Sequence, residues 1–242
     1  TDIVSIVIMH NLDGVNIDLE NLTEDDCESY IELVRLFREK LPESKSIVVS
    51  VAANPYGYET GWHGSYDYSA LAEYADYLMM MTYDEHYEGG EPGPVASIGF
   101  VRKSIEYAIS KVPKEKIVLG IPLYGRYWKD ISSYGGWAVT LEKMNELAKD
   151  YECEITYDEE SQSVKAVMTV YSTDKKPRIN NKQLSNGTYT IWYENEESIR
   201  AKLELVQEYD IKGAGTWRLG MEEKSLWEVF IEELDTESRP FR

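Results

Sequence analysis

Three polar side chains stand at alternate positions in the stretch LDGVNIDLENL, residues 12–22. They are Asn16, Asp18 and Glu20, set between Val15, Ile17 and Leu19. Residues two apart in a strand point the same way, so this spacing predicts a polar row on one face with Glu20 at the carboxyl end. Acids packed side by side repel each other in their charged forms. One of such a group is then favoured as the protonated species, which is the form a general acid must hold at neutral pH. The alternative is the solvated face of an edge strand. The apolar Val, Ile and Leu on the other face argue for the first reading within a series of buried strands and helices.

The flanking sequence supplies that series. Residues 3–9, IVSIVIM, form an apolar run that periodicity leaves open between strand and helix. Thr23 reads as the N-cap of a helix running to Pro42, with acids loaded in its first turn. Strands are expected near 13–20, 46–53, 76–83, 116–124 and 212–217, separated by helices near 69–75, 97–112, 195–210 and 222–234. Alternation of helices with buried strands gives a parallel sheet with crossover helices. Residues 129–194 break the rhythm. They hold one helical pattern, 140–151, and several short alternating strands, which predicts an α+β insertion. The chain is therefore divided into 1–128, 129–194 and 195–242.

Composition narrows the function classes. The chain has 242 residues and a formal net charge of −19, so the basic footprint of a nucleic-acid binder is missing. An anionic membrane surface is disfavoured for the same reason, and no apolar run is long enough to span a bilayer. Cys27 and Cys153 form no CxxC, and His10, His63 and His86 show no HExxH spacing. Neither a metal nor another cofactor is expected. Tyr is abundant, at 19 residues alongside 6 Trp, and such rings suit cores and sugar-binding clefts alike. The first residue is Thr1 rather than Met, which suggests an excised or processed piece.

The stretch DGVNIDLE resembles the D-x-x-D-x-D-x-E signature of glycoside hydrolase family 18, the chitinase-like (β/α)₈ enzymes. Asp13, Asp18 and Glu20 match, and Asn16 stands where many members carry Asp. The resemblance continues in order along the chain. LMMMTYDEH supplies Met81, Tyr83 and Asp84 of an M-x-Y-D motif, GIPLYGR supplies Tyr124 and Arg126, and GAGTWRLG supplies Trp217. The likeness is greatest to the bacterial branch that includes spore-cortex-lytic and spore-germination glycosidases.

That resemblance implies a fold and a chemistry. The fold is a (β/α)₈ TIM barrel lacking its first three βα units, with a small α+β insertion between the seventh and eighth strands. An exposed barrel edge would favour self-association. The implied substrate is a polysaccharide carrying 2-acetamido sugars, either peptidoglycan, including spore cortex, or chitin. The implied mechanism is retaining and substrate-assisted. Glu20 acts as acid and then base, Asp18 orients and stabilises the acetamido N–H, and Tyr83 hydrogen-bonds the acetamido oxygen. Trp217 forms the floor under the sugar. Asn16, Asp13, Met81, Asp84, Tyr124 and Arg126 line the site, and Trp62 is a candidate platform in the loop after the 46–53 strand. The implied place of action is extracellular, in the envelope or spore of a bacterium. The rivals are a sugar-binding, lectin-like relative with little or no turnover, and an envelope interaction domain. Relatives of the first kind usually lose the acid that is present here as Glu20.

Overall fold

The computed structural model describes residues 2–234, so 235–242 of the last expected segment lie outside the described residues. The chain opens with helix α1 (Asp2–Met9) and strand β1 (Gly14–Ile17). Helix α2 (Cys27–Lys40), strand β2 (Ser46–Ala52), helices α3 (Gly61–Gly64) and α4 (Tyr68–Tyr74) and strand β3 (Tyr77–Met81) follow. Next come α5 (Ile98–Lys111), β4 (Ile117–Pro122), β5 (Tyr124–Lys129), β6 (Trp137–Thr140) and α6 (Leu141–Asp150). Strands β7 (Glu152–Asp158), β8 (Ser163–Val170), β9 (Arg178–Ile179), β10 (Lys182–Gln183) and β11 (Gly187–Tyr193) lead to α7 (Glu196–Glu208). Strand β12 (Gly213–Trp217) and helix α8 (Leu226–Leu234) complete it.

The elements sort into two compact units. The first holds residues up to Thr82, Arg102–Gly120 and Glu208–Gly215; the second holds Tyr83–Val101, Ile121–Gln207 and the chain from Thr216. The parallel sheet has the order β1-β2-β3-β4-β12, the arrangement of a half-barrel of the (β/α)₈ kind. The alternate residues Ile47, Val49, Val51, Leu78, Met80, Ile117 and Leu119 are fully buried on one face of the sheet, while intervening residues such as Tyr77, Met79 and Val118 are partly exposed. Register is set at the first pair, where Gly14 lies opposite Ser46. A Cβ on Gly14 would fall 2.0 Å from the Ser46 carbonyl oxygen, so only glycine permits this approach.

Asp76 and Arg38 fasten the amino ends of the strands. The Asp76 carboxylate accepts from the Ile47 N–H at 2.7 Å and pairs with Arg38, whose guanidinium also donates to the carbonyls of Leu41, Pro42 and Lys45. Lys116 closes α4 by donating to the carbonyls of Ala72 and Ala75 at 2.6 and 2.9 Å.

Several expectations change in detail. The apolar run 3–9 is helical, and a helix satisfies its backbone hydrogen bonds internally. Val7 of α1 is buried, whereas Ile3, Ile6, Ile8 and Met9 are exposed. The expected strand 13–20 stops at Ile17, and β1 is the edge of its sheet. Asn16, Asp18 and Glu20 are all exposed. Among the described residues, β1 pairs with β2 alone. Thr23 caps a short 3₁₀ turn, Glu24–Asp26, ahead of α2, rather than α2 itself.

The second unit contains the antiparallel sheet β6-β5-β11-β8-β7, which also takes in Tyr124–Lys129, ahead of the expected start at 129. Alternate residues of β8 and β11 are buried, with Ala166, Met168 and Ile191 fully so, and the amphipathic α6 buries Met144 and Leu147. A fully buried ion pair ties α7 to β11. Lys202 Nζ donates to Glu194 Oε2 at 2.8 Å and to the carbonyls of Gln162 and Ser198 at 3.3 Å. Burial pushes the Glu194 carboxyl up from its ordinary pKa, and the Lys202 charge opposes that push.

Removing one member of a buried pair strands the other. Lys202→Met should therefore lower unfolding free energy by about 3–5 kcal/mol. Adding Glu194→Leu should restore most of it, as read from urea unfolding. A single variant as stable as the parent would show that the pair contributes little.

Candidate active site

The first unit presents the acidic row just beyond β1. Ile17 is buried and anchors the strand end, and the next residues project Asp18 and Glu20 from its carboxyl side. Two tyrosines hold this segment by its backbone. Tyr30 Oη donates to the Ile17 carbonyl at 3.4 Å, and Tyr66 Oη donates to the Leu19 carbonyl at 3.0 Å. Tyr66 in turn accepts from Trp62 Nε1 at 3.1 Å. Asn21 ends the segment at φ +60°, a left-handed conformation that Asn tolerates better than most residues.

Both phenols are shifted upward. Burial, aided by the charges of Glu20 and Asp18, pushes Tyr66 up to about 12, against the Trp62 N–H that pulls it down. Burial, then the neighbouring Tyr66 and Asp18, also pushes Tyr30 up. A phenol is protonated at neutral pH in any case, and these shifts extend its donor state to higher pH. Asn16 Oδ1 accepts from Ser50 Oγ of β2 at 3.3 Å, joining it to a buried neighbour on the same sheet. Asp13 is exposed, and its carbonyl accepts from the N–H and hydroxyl of Ser46 at 2.9 and 3.2 Å. Met81 is 7% exposed, so its environment is that of a core residue at the end of β3. Trp62 is 38% exposed, and its ring meets those of His63 and Tyr66 edge-on.

The second unit gathers Tyr83, Asp84, Tyr124 and Arg126. Asp84 adopts φ +58°, unusual for a residue with a side chain, and its carboxylate is held from three sides. Oδ1 accepts from Tyr124 Oη at 2.6 Å and Arg126 Nε at 2.7 Å, and Oδ2 accepts from Arg126 Nη2 at 2.7 Å. Arg126 Nη1 donates to the Gly136 carbonyl at 2.5 Å. The guanidinium thus uses a two-pronged grip on the carboxylate and a third bond to the backbone. Burial works against the Arg126 charge, but Asp84 outweighs it and holds the guanidinium above its ordinary pKa. Burial, then Asp84, raises the Tyr124 phenol well above its usual value. The Tyr83 ring meets Tyr124 edge-on at 6.3 Å. Gly136, at φ +82°, lies so close to Tyr87 that a Cβ would fall 2.3 Å from its carbonyl oxygen.

Trp217 is 46% exposed at the end of β12, where its carbonyl accepts from the Leu123 N–H at 2.8 Å. Among the described residues, no group of three or more His, Cys, Asp or Glu is placed to hold a metal ion. No helix among them is long and apolar enough to cross a membrane.

The structure adds residues the motifs did not point to. Tyr66, Tyr30 and Ser50 position the acidic segment, and Gly136 receives Arg126. Tyr66 lies 47 residues from Leu19, so no local spacing signals that contact. The paired glycines at 135–136 mark a tight turn in the sequence, but not what reaches it.

The profile described as Glycosyl hydrolases family 18 matches residues 1–222. The chain is 30% identical over 232 residues to an uncharacterized glycosylase of Bacillus subtilis, YvbX, covering 94% of this chain and 63% of that relative. It is also 30% identical over 249 residues to the cortical fragment-lytic enzyme of Bacillus subtilis, covering 100% of this chain and 54% of that protein. The chain thus spans only about half to three-fifths of the length of these curated relatives. Among solved structures, the spore cortex-lytic enzyme SleL of Bacillus cereus superposes with a TM-score of 0.83 at 25% identity, over 96% of this chain and 52% of that one. A chitinase from Chromobacterium violaceum superposes with a TM-score of 0.84 at 26% identity, over 99% and 70% respectively.

The Asp84–Arg126 grip is partly buried and bidentate, which lysine cannot reproduce. Arg126→Lys should cost about 1–2 kcal/mol in chemical denaturation. An unchanged unfolding midpoint would contradict this reading of the network.

Proposed function

The chain belongs to glycoside hydrolase family 18, and we propose that it cleaves β-1,4-linked glycans containing N-acetylglucosamine by retaining, substrate-assisted catalysis. The observation that carries this reading is the pair Asp18 and Glu20, open to solvent beyond β1 on a backbone pinned by Tyr66 and Tyr30. Glu20 gives its proton to the glycosidic oxygen as that bond breaks. The carbonyl oxygen of the substrate's own acetamido group then bonds to the anomeric carbon, forming a cyclic oxazolinium ion. Positive charge develops on the acetamido nitrogen, and the Asp18 carboxylate offsets it. Tyr83 hydrogen-bonds the acetamido oxygen and orients it. Glu20, now ionised, takes a proton from water as that water attacks the anomeric carbon and the bond from that carbon to the acetamido oxygen breaks, which reopens the ring to a neutral acetamide and regenerates the acid with retention. The exposed Trp217 indole would take the apolar face of the sugar.

Peptidoglycan, including spore cortex, is the favoured substrate over chitin. Relatives named for cortex lysis match across nearly the whole chain, which also favours action in the spore or envelope of a bacterium. The rival reading is sugar binding with little turnover.

Glu20→Gln separates the two. It should reduce turnover of chitooligosaccharides or purified cortex fragments by about 10²–10⁴-fold while leaving binding within a few-fold. The loss should be smaller on an aryl glycoside whose leaving group needs no proton. Equal turnover by the variant and the parent, or none by either despite binding, would reject the hydrolytic reading.

A further inference from the structure

The second unit carries a cluster of basic residues on a chain that is acidic overall. Between β8 and β11 stand Lys175, Lys176, Arg178 and Lys182, with Asp174 as the one acid, although the whole chain holds 44 acids against 25 bases. Asp174 is already engaged, because its carboxylate accepts from the Tyr171 N–H at 2.7 Å. The segment is firmly built. Its hairpin of β9 and β10 pairs Ile179 with Lys182 and Arg178 with Gln183. The Leu184 N–H donates to the Pro177 carbonyl at 2.9 Å, and Tyr151 Oη donates to the Lys175 carbonyl at 2.7 Å. Ile179 and Leu184 are buried and anchor the hairpin from below. The cations are thus presented on an ordered frame, which lowers the cost of binding a ligand there.

A groove of about 460 Å³ lies along this segment, lined by Lys176, Gln183, Leu184, Ser185 and Asn186. These side chains supply an ammonium, two amides and a hydroxyl, and no carboxylate. Lys129 brings a second ammonium to the edge of the groove, where its Nζ donates to Ser185 Oγ at 2.8 Å. Lys176 Nζ donates to the Tyr171 carbonyl. An ammonium has three N–H groups, so both lysines keep donors for a further acceptor. Among the described residues neither has a carboxylate partner, whereas Lys114, Lys143 and Lys202 do. Lys176 also borders a cavity of about 260 Å³, but there Glu146 and Asp150 stand beside Lys143, Lys175 and Arg178. An anion is therefore better served by the groove that holds no acid. The net charge of −19 does not cancel this, because salt screens charges more than about 8–10 Å away.

We propose that the groove beside Lys129 and Lys176 is an oxyanion-binding site that takes the carboxylate or phosphate groups of a cell-wall polymer. Peptidoglycan carries carboxylates on its peptides, and chitin carries neither group. The groove would thus favour an anionic wall glycan over a neutral one. The choice of polymer rests on the function proposed above, but binding here does not require turnover.

Co-sedimentation of the 242-residue chain at low salt tests this, with purified peptidoglycan, peptidoglycan that retains its attached phosphate polymers, and chitin. Turnover of chitooligosaccharides and of peptidoglycan is measured alongside. The double variant Lys129→Gln, Lys176→Gln should bind the anionic polymers about tenfold more weakly, and raising salt from about 50 to about 200 mM should likewise weaken the parent. Thermal unfolding, chitin binding and chitooligosaccharide turnover should match the parent. Lys129→Arg, Lys176→Arg keeps both charges and should bind like the parent. So should Lys40→Gln, Lys224→Gln, which removes as much charge from exposed positions elsewhere. A loss on both forms of peptidoglycan names carboxylates as the ligand, and a loss only where phosphate polymer is present names phosphates. The proposal is overturned if the groove variant binds both anionic polymers like the parent, if the Lys40, Lys224 variant loses as much, or if the parent binds neither. If binding depends on the groove and no glycan is hydrolysed, the oxyanion site stands and the hydrolytic reading fails. If glycan is hydrolysed but binding ignores both lysines, the hydrolytic reading stands and the oxyanion site fails.

Discussion

The acidic segment depends on two phenol hydroxyls reaching backbone carbonyls. β1 is only four residues long and pairs on one side, so hydrogen bonding within the sheet cannot position what lies beyond Ile17. Tyr30 and Tyr66 supply that constraint from α2 and from the segment leading into α4. Both are buried, which raises their phenol pKa and extends their donor state to higher pH. The main chain at Ile17 and Leu19 is held, and the Asp18 and Glu20 residues are exposed beyond it. The parallel register below them is set by the close approach of Gly14 to Ser46 and by the Asp76–Arg38 contacts at the far strand ends.

The second unit uses a different device. Asp84 takes an uncommon backbone conformation and is gripped by Arg126 and Tyr124. A left-handed non-glycine residue costs of order 1–3 kcal/mol and persists only where its surroundings overdetermine it. Here three charge-assisted bonds to one carboxylate do so, and the Gly136 carbonyl absorbs a further guanidinium donor. The same unit keeps a fully buried ion pair, Lys202–Glu194, at the junction of β11 and α7. That pair joins elements close in sequence, whereas Arg126 and Asp84 are 42 residues apart.

Much of this architecture is legible in the chain itself. Unbroken apolar runs such as SIVVSVA and KIVLGIP announce buried strands, and the burial of Ile47, Val49, Ile117 and Leu119 follows from them. The amphipathic pattern of 140–151 likewise gives α6, because its apolar face must find a core. Strand ends are less legible. Alternation through Glu20 predicts a longer β1, but hydrogen-bonded pairing ends at Ile17, and alternation alone does not report where a neighbouring strand stops. The run 3–9 is ambiguous for a related reason: its composition suits either element, and the structure takes the helix.

Sequence alone determined which residue types the site has to work with and their order: the row Asn16, Asp18, Glu20, then Tyr83 and Asp84, then Tyr124 and Arg126, then Trp217. These are local patterns, and local patterns survive in one dimension. Only the tertiary structure decided how the patterns are held. Tyr66 meets Leu19 across 47 residues, Tyr124 meets Asp84 across 40, and Lys129 meets Ser185 across 56. Such contacts depend on sheet register, on where helices cover the sheet and on where loops run. None of these has a fixed spacing in the chain, because the packing that brings distant residues together follows total apolar burial and not any single motif.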